Sequence, residues 1–150
     1  MVLYRIAKCT YADDLTGTGA RLYGGRWNSE GKSMLYLASS RSLAVLEVLV
    51  HLSPLIIPDN FCVAEIEAPD HSIIPIDIAS LPGNWRDVSA PVILKEMGDE
   101  VLKSNKYLLM KVPSAVVPAE YNYLLNPLHP DAKDVRVIIK EPFGFDERLL

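Results

Sequence analysis

The amino-acid sequence predicts an α+β fold, in which a mixed or antiparallel sheet with few helices forms one domain over residues 1–150. Two observations favour this class. Segments that alternate apolar and polar residues, the pattern of half-buried strands, outnumber the segments with helical spacing. The two kinds of segment also do not follow the regular βαβ order of a parallel sheet. A chain of 150 residues suits one domain and is long enough to bury a core.

The first half of the chain is predicted to form three strands and one helix. The strands are predicted at residues 2–7, 32–38 and 60–67. The turn-rich residues 11–19 (YADDLTGTG) are predicted as a loop. A helix is predicted over residues 41–52. Ser39 or Ser40 suits its N-cap, and Pro54 stops it.

The second half is predicted to hold five strands and a second helix. The strands are predicted at residues 72–78, 107–112, 115–117, 121–125 and 135–140. Pro75 places the first of them at an edge or a bulge of the sheet, since proline cannot donate to the ladder. The helix is predicted over residues 90–103, with Pro91 at its first helical position. Its inward-facing residues are predicted to be Val92, Ile93, Met97, Val101 and Leu102.

Composition excludes several classes of protein. The formal net charge of −4 argues against nonspecific binding to nucleic acid, which needs a basic surface. No apolar stretch reaches the ~18 residues of a membrane-spanning helix, and the N-terminus lacks the apolar core of a signal peptide. A cytoplasmic protein without membrane attachment is therefore expected. Cys9 and Cys62 are too few and too isolated for a disulfide framework or a zinc site, so both are predicted to be buried small hydrophobes.

Positive charge is concentrated near the N-terminus. Residues 1–46 contain six Lys and Arg against three Asp and Glu, whereas residues 47–150 contain nine against sixteen. A compact anionic ligand is therefore expected near the N-terminal third, although ordinary variation of the surface would give the same counts. This region also contains a Gly24–Gly25 pair between Arg21 and Arg26, and glycine lets the backbone approach a ligand closely.

One acid, Glu47, lies within the apolar run of residues 43–50. Burying an unpaired carboxylate costs several kcal/mol, or else the group becomes neutral. Glu47 therefore needs a partner or a chemical role. As a structural acid it would pair with Arg26, Arg41 or His51, the last of which lies four residues further along the same predicted helix. As a catalytic acid it would stabilise a cation that forms during a reaction.

Arg26, Tyr36 and Glu47 remain as candidates once common site motifs are excluded. The sequence has no GxGxxG, GxxxxGK[ST] or GxSxG motif, and no histidine pair with metal-ligand spacing. A guanidinium binds phosphate oxygens, and a tyrosine offers a ring to a planar base and a hydroxyl to a sugar. A carboxylate binds ribose hydroxyls and stabilises an oxocarbenium-like transition state. These residue types suit a ligand of pyrophosphate, ribose and heterocycle, although many proteins contain such a triple.

Six segments of the sequence are similar to one known family. They are LYRIA (3–7), GGRWN (24–28), LYLASS (35–40), LEVLVHL (46–52), VPS (112–114) and EYNYLLNPLHPD (120–131). In their order and rough spacing the chain resembles the RES-domain family, the toxin halves of bacterial toxin–antitoxin pairs. The resemblance implies a fold like that of ADP-ribosyltransferase toxins and an attack on NAD⁺. Family members hydrolyse NAD⁺, cleave it with phosphate, or transfer ADP-ribose to a protein.

The resemblance also implies roles for individual residues. Arg26, Glu47 and Ser114 correspond to the Arg, Glu and Ser of the family name. Tyr36 corresponds to the family's active-site tyrosine, and Arg5 to an arginine that lines the pocket. The first four are the expected catalytic residues, and the two arginines and the tyrosine are expected to bind NAD⁺.

A late loop extends this set of candidates. Asn126 and His129 lie in the family's NPxHP loop and are expected to contribute to NAD⁺ binding. Several candidates also have plain structural explanations: Arg5 as half of an ion pair, Arg26 as an ordinary surface arginine, Tyr36 and Trp27 as packing residues, Ser114 as a turn residue, and Asn126 and His129 as residues that build the loop. His51 is expected to face the core edge or solvent.

Partners and cofactors are implied by the resemblance alone. No cofactor beyond NAD⁺ as the substrate is expected, and no metal, because nicotinamide is already a cationic leaving group. The expected partner is a cognate antitoxin with a helix-turn-helix part, which covers the site and makes any contact with DNA. The acceptor of ADP-ribose and the oligomeric state within the complex stay open. The alternatives are a non-catalytic nucleotide-binding module and a purely structural protein.

Overall fold

A seven-stranded mixed sheet forms the centre of the computed structural model, which describes residues 1–56 and 58–150. Within these residues the strands are β1 (Val2–Lys8), β2 (Leu35–Ala38), β3 (Phe61–Glu67), β4 (Ile73–Pro75), β5 (Leu109–Pro113), β6 (Tyr121–Leu125) and β7 (Arg136–Phe143). The helices in the same residues are α1 (Thr18–Tyr23), α2 (Arg41–Leu49) and α3 (Val92–Ser104), with 3-10 turns at Ile78–Ser80, Pro130–Asp134 and Glu147–Leu149. The predicted α+β class is confirmed.

The order of the sheet is β4-β5-β6-β2-β1-β3-β7. All neighbouring strands pair antiparallel except β4 and β5, which are parallel. Pro75 thus lies on an edge strand, as predicted. The predicted strand at residues 121–125 matches β6 at both ends. At the other edge, β7 runs three residues further than predicted and contains Pro142, which an edge strand tolerates.

Successive residues of β2 point to opposite faces of the sheet. Leu35 and Leu37 pack in one buried cluster, away from the two long helices. On the other face, Tyr36 packs against the cluster that contains Leu94 of α3, and Ala38 belongs to the cluster that contains Leu43 of α2. The long helices therefore cover the same face of the sheet. Among the described residues, no helix is long and apolar enough to cross a membrane.

The predicted strand at residues 115–117 is wrong. These residues follow β5 as a bend, because the buried Ser114 side chain turns the chain. Its Oγ accepts hydrogen bonds from the backbone nitrogens of Val116, at 3.1 Å, and Val117, at 3.0 Å. A hydroxyl that bonds the nearby backbone in this way competes with a strand ladder.

Helices differ from prediction at their ends and in number. Ser40, one of the two predicted caps, caps α2 by accepting from Leu43 N at 3.1 Å. The helix ends at Leu49 rather than at residue 52. α1 is absent from the prediction, because the turn-rich residues 11–19 predict a loop that overlaps its first turn. It follows Gly17, which has φ 69° and offers no side-chain cap, so the usual signal for a helix start is absent.

The prediction of which α3 residues face inward is partly wrong. Val92 and Ile93 are exposed, at 65% and 43% of their surface, and Leu94 is the fully buried residue of the first turn. The buried stripe continues through Met97 and Gly98, at the i, i+3 and i+4 spacing of one helix face. Pro91 stands just before the helix, at its N-cap position.

Cys9 and Cys62 form a disulfide in the structure, so the prediction that both are simple buried hydrophobes is wrong. They are 53 residues apart in sequence, which made them look isolated. Antiparallel pairing of β1 with β3 sets Ala7 opposite Cys62, and the next backbone bond joins Cys9 N to Asn60 O. Their Cα atoms are 4.8 Å apart, within the usual range for a disulfide.

Candidate active site

A cavity of about 1020 Å³ opens on the sheet face that carries the long helices. Strands β1, β2, β5 and β6 form its floor, and α2 and α3 contribute residues to its walls. Its volume lies at the upper end of the range of ligand pockets, about 300–1,000 Å³. The site candidates Arg5, Arg26, Tyr36 and Glu47 all line it.

Charge in this cavity is unevenly distributed. Arg5, Arg26 and Lys95 contribute three cations, whereas Glu47 is the acid among the lining residues. His51 also lines the cavity, from just beyond α2. An excess of positive charge in a cleft favours an anionic ligand, and two of the three cations come from the basic N-terminal third.

Glu47 is half-buried on α2 and is held by two neutral donors. Ser114 Oγ donates to its Oε1 at 2.6 Å, and Asn122 Nδ2 donates to the same oxygen at 2.7 Å. Among the described residues no cation lies within salt-bridge distance of Glu47. The structural alternative, a pair with Arg26, Arg41 or His51, is therefore wrong.

Arg41 is used elsewhere, which explains why it does not reach Glu47. Its guanidinium forms ion pairs with Glu65 of β3 and with Glu141 of β7, the latter at 2.9 Å. Hydrogen bonds to these two carboxylates raise the pKa of Arg41. The guanidinium thus bridges two sheet strands at the exposed end of α2.

Oε2 of Glu47 differs from Oε1. Within residues 1–56 and 58–150, no side chain or backbone group donates to Oε2. Every buried side-chain nitrogen or oxygen in these residues has a hydrogen-bond partner. Because Oε2 has none, it is not fully buried, and solvent reaches it. One oxygen of the carboxylate is thus fixed by the protein, and the other has no protein donor. Because Glu47 lines the cavity, this second oxygen is the one left for a ligand there.

Arg26 follows the two glycines of the GGRWN segment and is anchored to a loop before α3. Its Nη1 donates to the backbone oxygens of Trp85 and Asp87, both at 2.9 Å. These contacts use one of its two terminal nitrogens. Because a guanidinium has five N–H donors, the rest of the group can bind an anion in the cavity.

Arg5 is anchored in the same way, from the middle of β1. Its Nη1 donates to Tyr11 O at 2.7 Å and to Asp14 O at 2.8 Å, and so ties down the loop between β1 and α1. Burial lowers the pKa of Arg5, and the charges of Asp14 and Asp13 oppose this shift. The contacts are to carbonyl oxygens, so the alternative role as half of a direct ion pair is not what the structure shows.

Tyr36 has its hydroxyl committed within the protein. The hydroxyl donates to Asn28 Oδ1 at 2.6 Å and accepts from Trp27 N at 3.0 Å. Burial is the largest cause that raises the pKa of Tyr36 above its usual range. A Cβ on Gly25 would lie 2.5 Å from this hydroxyl, so the second glycine of the pair provides room for Tyr36. The ring, not the hydroxyl, is what Tyr36 can offer a ligand.

Asn126 and His129 do not join these residues. Asn126 lies just beyond the far end of β6, where its Nδ2 donates to Asn105 Oδ1 at 2.8 Å and its Oδ1 accepts from Leu128 N. His129 Nδ1 accepts from Asp131 N at 3.1 Å and caps a 3-10 turn. Neither lines the large cavity. Their observed role is the structural alternative, to build the loop.

Three polar residues near the site were not singled out from the sequence. Asn122 donates to Glu47, Asn28 accepts from Tyr36, and Lys95 donates to the backbone oxygen of Gly25. Asn28 and Asn122 lie within the GGRWN and EYNYLL segments, but an asparagine in a short motif gives no sign of its partner. Lys95 lies in α3, where an isolated lysine is typical of an exposed helix face.

Comparison with known proteins gives relatives over almost the whole chain. Residues 2–146 match the RES domain family. A protein of Yersinia enterocolitica called Toxin Res is 42% identical over 151 residues, which cover 99% of both chains. The Prs ADP-ribosylating toxin of a Sphingobium species is 40% identical over 147 residues, or 96% of this chain and 91% of that protein. A second Toxin Res, from Photorhabdus laumondii, is 39% identical over 152 residues.

The fold is also similar to that of a solved structure. The crystal structure of the MbcT–MbcA toxin–antitoxin complex of Mycobacterium tuberculosis matches with a TM-score of 0.78. The match covers 95% of this chain and 84% of that chain, at 16% sequence identity. The similarity confirms the predicted fold, and at this identity it speaks to the fold alone.

Proposed function

Because this chain belongs to the RES domain family, we propose that it is the toxin of a toxin–antitoxin pair and cleaves the nicotinamide–ribose bond of NAD⁺. The observation that carries the proposal is the state of Glu47. Its carboxylate is held by two neutral donors in a cavity whose other fixed charges are cations. Such a group is available for a positive charge that only the ligand brings.

Glu47 supplies the transition-state chemistry in this proposal. Cleavage of the bond to nicotinamide leaves positive charge on the ribose, as in other reactions with an oxocarbenium-like transition state. The accessible Oε2 accepts a hydrogen bond from a ribose hydroxyl and stabilises that charge. Oε1 stays with Ser114 and Asn122, so the carboxylate is oriented before the substrate arrives.

Arg5 and Arg26 bind the pyrophosphate in this proposal. Each arginine is fixed through Nη1 and keeps other N–H donors for phosphate oxygens. Their anchoring also limits the entropy that would be lost when a flexible side chain is ordered on binding. Tyr36 packs its ring against the nicotinamide–ribose end, since its hydroxyl is already bonded.

No metal or further cofactor takes part in the proposed reaction. Nicotinamide leaves as a neutral molecule from a cationic precursor, so the leaving group needs no Lewis acid. The proposal therefore requires only NAD⁺, an acceptor and the chain's own residues.

The acceptor of ADP-ribose separates two versions of the function. Transfer to water or phosphate would deplete NAD⁺ itself. Transfer to a protein, mono-ADP-ribosylation, is the second candidate, and the name of the Sphingobium relative favours it. Mass spectrometry of the products with water, inorganic phosphate or a cell extract as the acceptor distinguishes the versions.

An antitoxin is the proposed partner. The structural neighbour was solved as a toxin–antitoxin complex. Around the cavity, Tyr23, Val50 and Val88 line the opening with 81%, 57% and 102% of their surface exposed. An exposed apolar rim suits a protein partner that closes the entrance. Purification from the native operon should yield the two proteins together, and recovery of the chain alone would count against this part.

Release of nicotinamide from NAD⁺ by the purified protein tests the reaction. The matched control is Glu47→Gln, which keeps the shape of the side chain and removes its charge. Release by the wild type and not by the variant supports the proposal. Binding of NAD⁺ without release over hours would instead identify a non-catalytic nucleotide-binding module.

A further inference from the structure

Ser114 can give Glu47 only one hydrogen bond, and the direction of that bond is fixed. Its Oγ accepts from the backbone nitrogens of Val116 and Val117. A hydroxyl has two acceptor sites and one donor, so both acceptor sites are filled and the O–H remains. That proton points to Oε1 of Glu47 at 2.6 Å. Ser114 alone therefore leaves the carboxylate free to rotate about this single contact.

Asn122 provides the second contact, from a rigid position. It lies in β6, where it pairs with Ala38 of β2 on one side and Val112 of β5 on the other. The side chain lines the cavity, and its Nδ2 donates to Oε1 at 2.7 Å. Because a carboxylate can only accept, the amide nitrogen and not the amide oxygen must face Glu47.

Two donors on one oxygen determine which oxygen remains for the ligand. With Ser114 and Asn122 both on Oε1, rotation of the carboxylate would break these bonds, so Oε2 stays without a protein donor. Because Glu47 lines the cavity, Oε2 is the oxygen that remains for a ligand there. We propose that Asn122 is a positioning residue for the reaction, which fixes the Glu47 carboxylate so that Oε2 faces the ribose. The inference rests on the proposed function for its chemistry and on the Glu47–Asn122 contact for its geometry.

The test combines Asn122→Asp with Glu47→Gln. Asn122→Asp keeps the side-chain shape but places a second carboxylate against Glu47, so the donor becomes a repelling acceptor. We expect kcat for NAD⁺ to fall by about 10–100-fold, the cost of a misplaced catalytic group. KM should change by less than about threefold, because the arginines bind the ground state.

A stability measurement decides the inference independently of turnover. Asn122→Asp should lower Tm by about 2–4 °C in the wild type, and this loss should largely disappear in the Glu47→Gln background, where no charge repels it. An equal Tm loss in both backgrounds would show that Asn122 acts on the fold and not through Glu47, and would overturn the inference. If wild-type protein releases no nicotinamide, the proposed function fails, whereas the coupling still shows whether Asn122 acts through Glu47.

Two further variants complete the test. Asn122→Ala removes the donor without adding charge, and serves if Asn122→Asp does not fold. It should lower kcat by at least about 10-fold with KM nearly unchanged. Tyr123→Phe is the matched control, because the next residue of β6 packs on the opposite face of the sheet. Activity should be unchanged in Tyr123→Phe, whereas an Asn122→Ala variant with wild-type kcat would overturn the inference.

Discussion

Ser114 and Glu47 share one hydrogen bond, but their substitution should have different effects. Ser114→Ala should mainly lower stability, whereas Glu47→Gln should abolish activity with little loss of stability. Ser114 is fully buried, and its hydroxyl makes three hydrogen bonds, one to Glu47 and two with the backbone of the following bend. Alanine at this position leaves two half-buried N–H groups without their acceptor and removes one donor from a carboxylate.

The expected magnitude follows from these contacts. A hydrogen bond to a charged group contributes about 1.5–3 kcal/mol, and each half-buried N–H costs up to about 1 kcal/mol. The free energy of unfolding should thus fall by about 1.5–5 kcal/mol in Ser114→Ala, which lowers Tm by about 3–20 °C in a chain of this size. In Glu47→Gln the amide oxygen still accepts from Ser114 and Asn122, so the loss should stay within about 1–2 kcal/mol.

Thermal or denaturant unfolding of both variants, followed by circular dichroism, checks the difference, and a growth assay checks toxicity. Ser114→Ala should be the less stable protein, while Glu47→Gln should be stable and without toxicity. The reasoning is refuted if Glu47→Gln is destabilised as much as Ser114→Ala, because Glu47 would then be a structural acid. It is refuted equally if stable Glu47→Gln protein remains toxic.

Three other predictions concern Gly98, Tyr36 and the Cys9–Cys62 disulfide. Gly98→Ala should cost at least about 1–3 kcal/mol of stability, since the new Cβ would lie 1.7 Å from the backbone oxygen of Trp27; the Tm of the variant measures this. Burial raises the pKa of Tyr36 in the folded protein above its value of ~10 in the unfolded chain. The neutral Tyr36 hydroxyl therefore contributes its full stabilisation below pH ~10, and this contribution is lost as the pH rises through the pKa of the folded state. Tyr36→Phe should accordingly leave the tyrosinate absorbance at pH 10–11 unchanged, and a drop in that absorbance would contradict the shift. Reduction of the Cys9–Cys62 disulfide should remove about 2–4 kcal/mol, because it opens a loop of 53 residues, and Tm with and without dithiothreitol tests this.

The sequence predicted the fold well where local pattern and turn chemistry agree. β6 was predicted to the residue, because alternation in YNYLL ends at a proline-containing loop. Serine before an apolar run is a strong local signal for a cap, which limited the choice to Ser39 or Ser40, and the structure has Ser40. α1 was missed because Gly17 starts it without a side-chain cap, so nothing local marks its first turn.

Contacts between residues that are far apart in the sequence could not be predicted from it. Glu47 was recognised as an unusual acid, but its partner Asn122 is 75 residues away and lies on a strand whose neighbours the sequence does not specify. The disulfide has the same origin, since pairing of β1 with β3 brings two distant cysteines together. His129 illustrates a different limit, because a motif predicts that this residue binds the ligand, whereas in the structure it lies away from the large cavity and caps a 3-10 turn.

The central claim is that Glu47 in this cavity promotes cleavage of NAD⁺. The most direct test is chromatographic measurement of nicotinamide after NAD⁺ is incubated with purified wild-type or Glu47→Gln protein, with phosphate and a cell extract each supplied as acceptors. The wild type should release nicotinamide well above the protein-free blank, and the variant should not exceed the blank. Absence of release by folded wild-type protein under all conditions, or equal release by the variant, would contradict the claim.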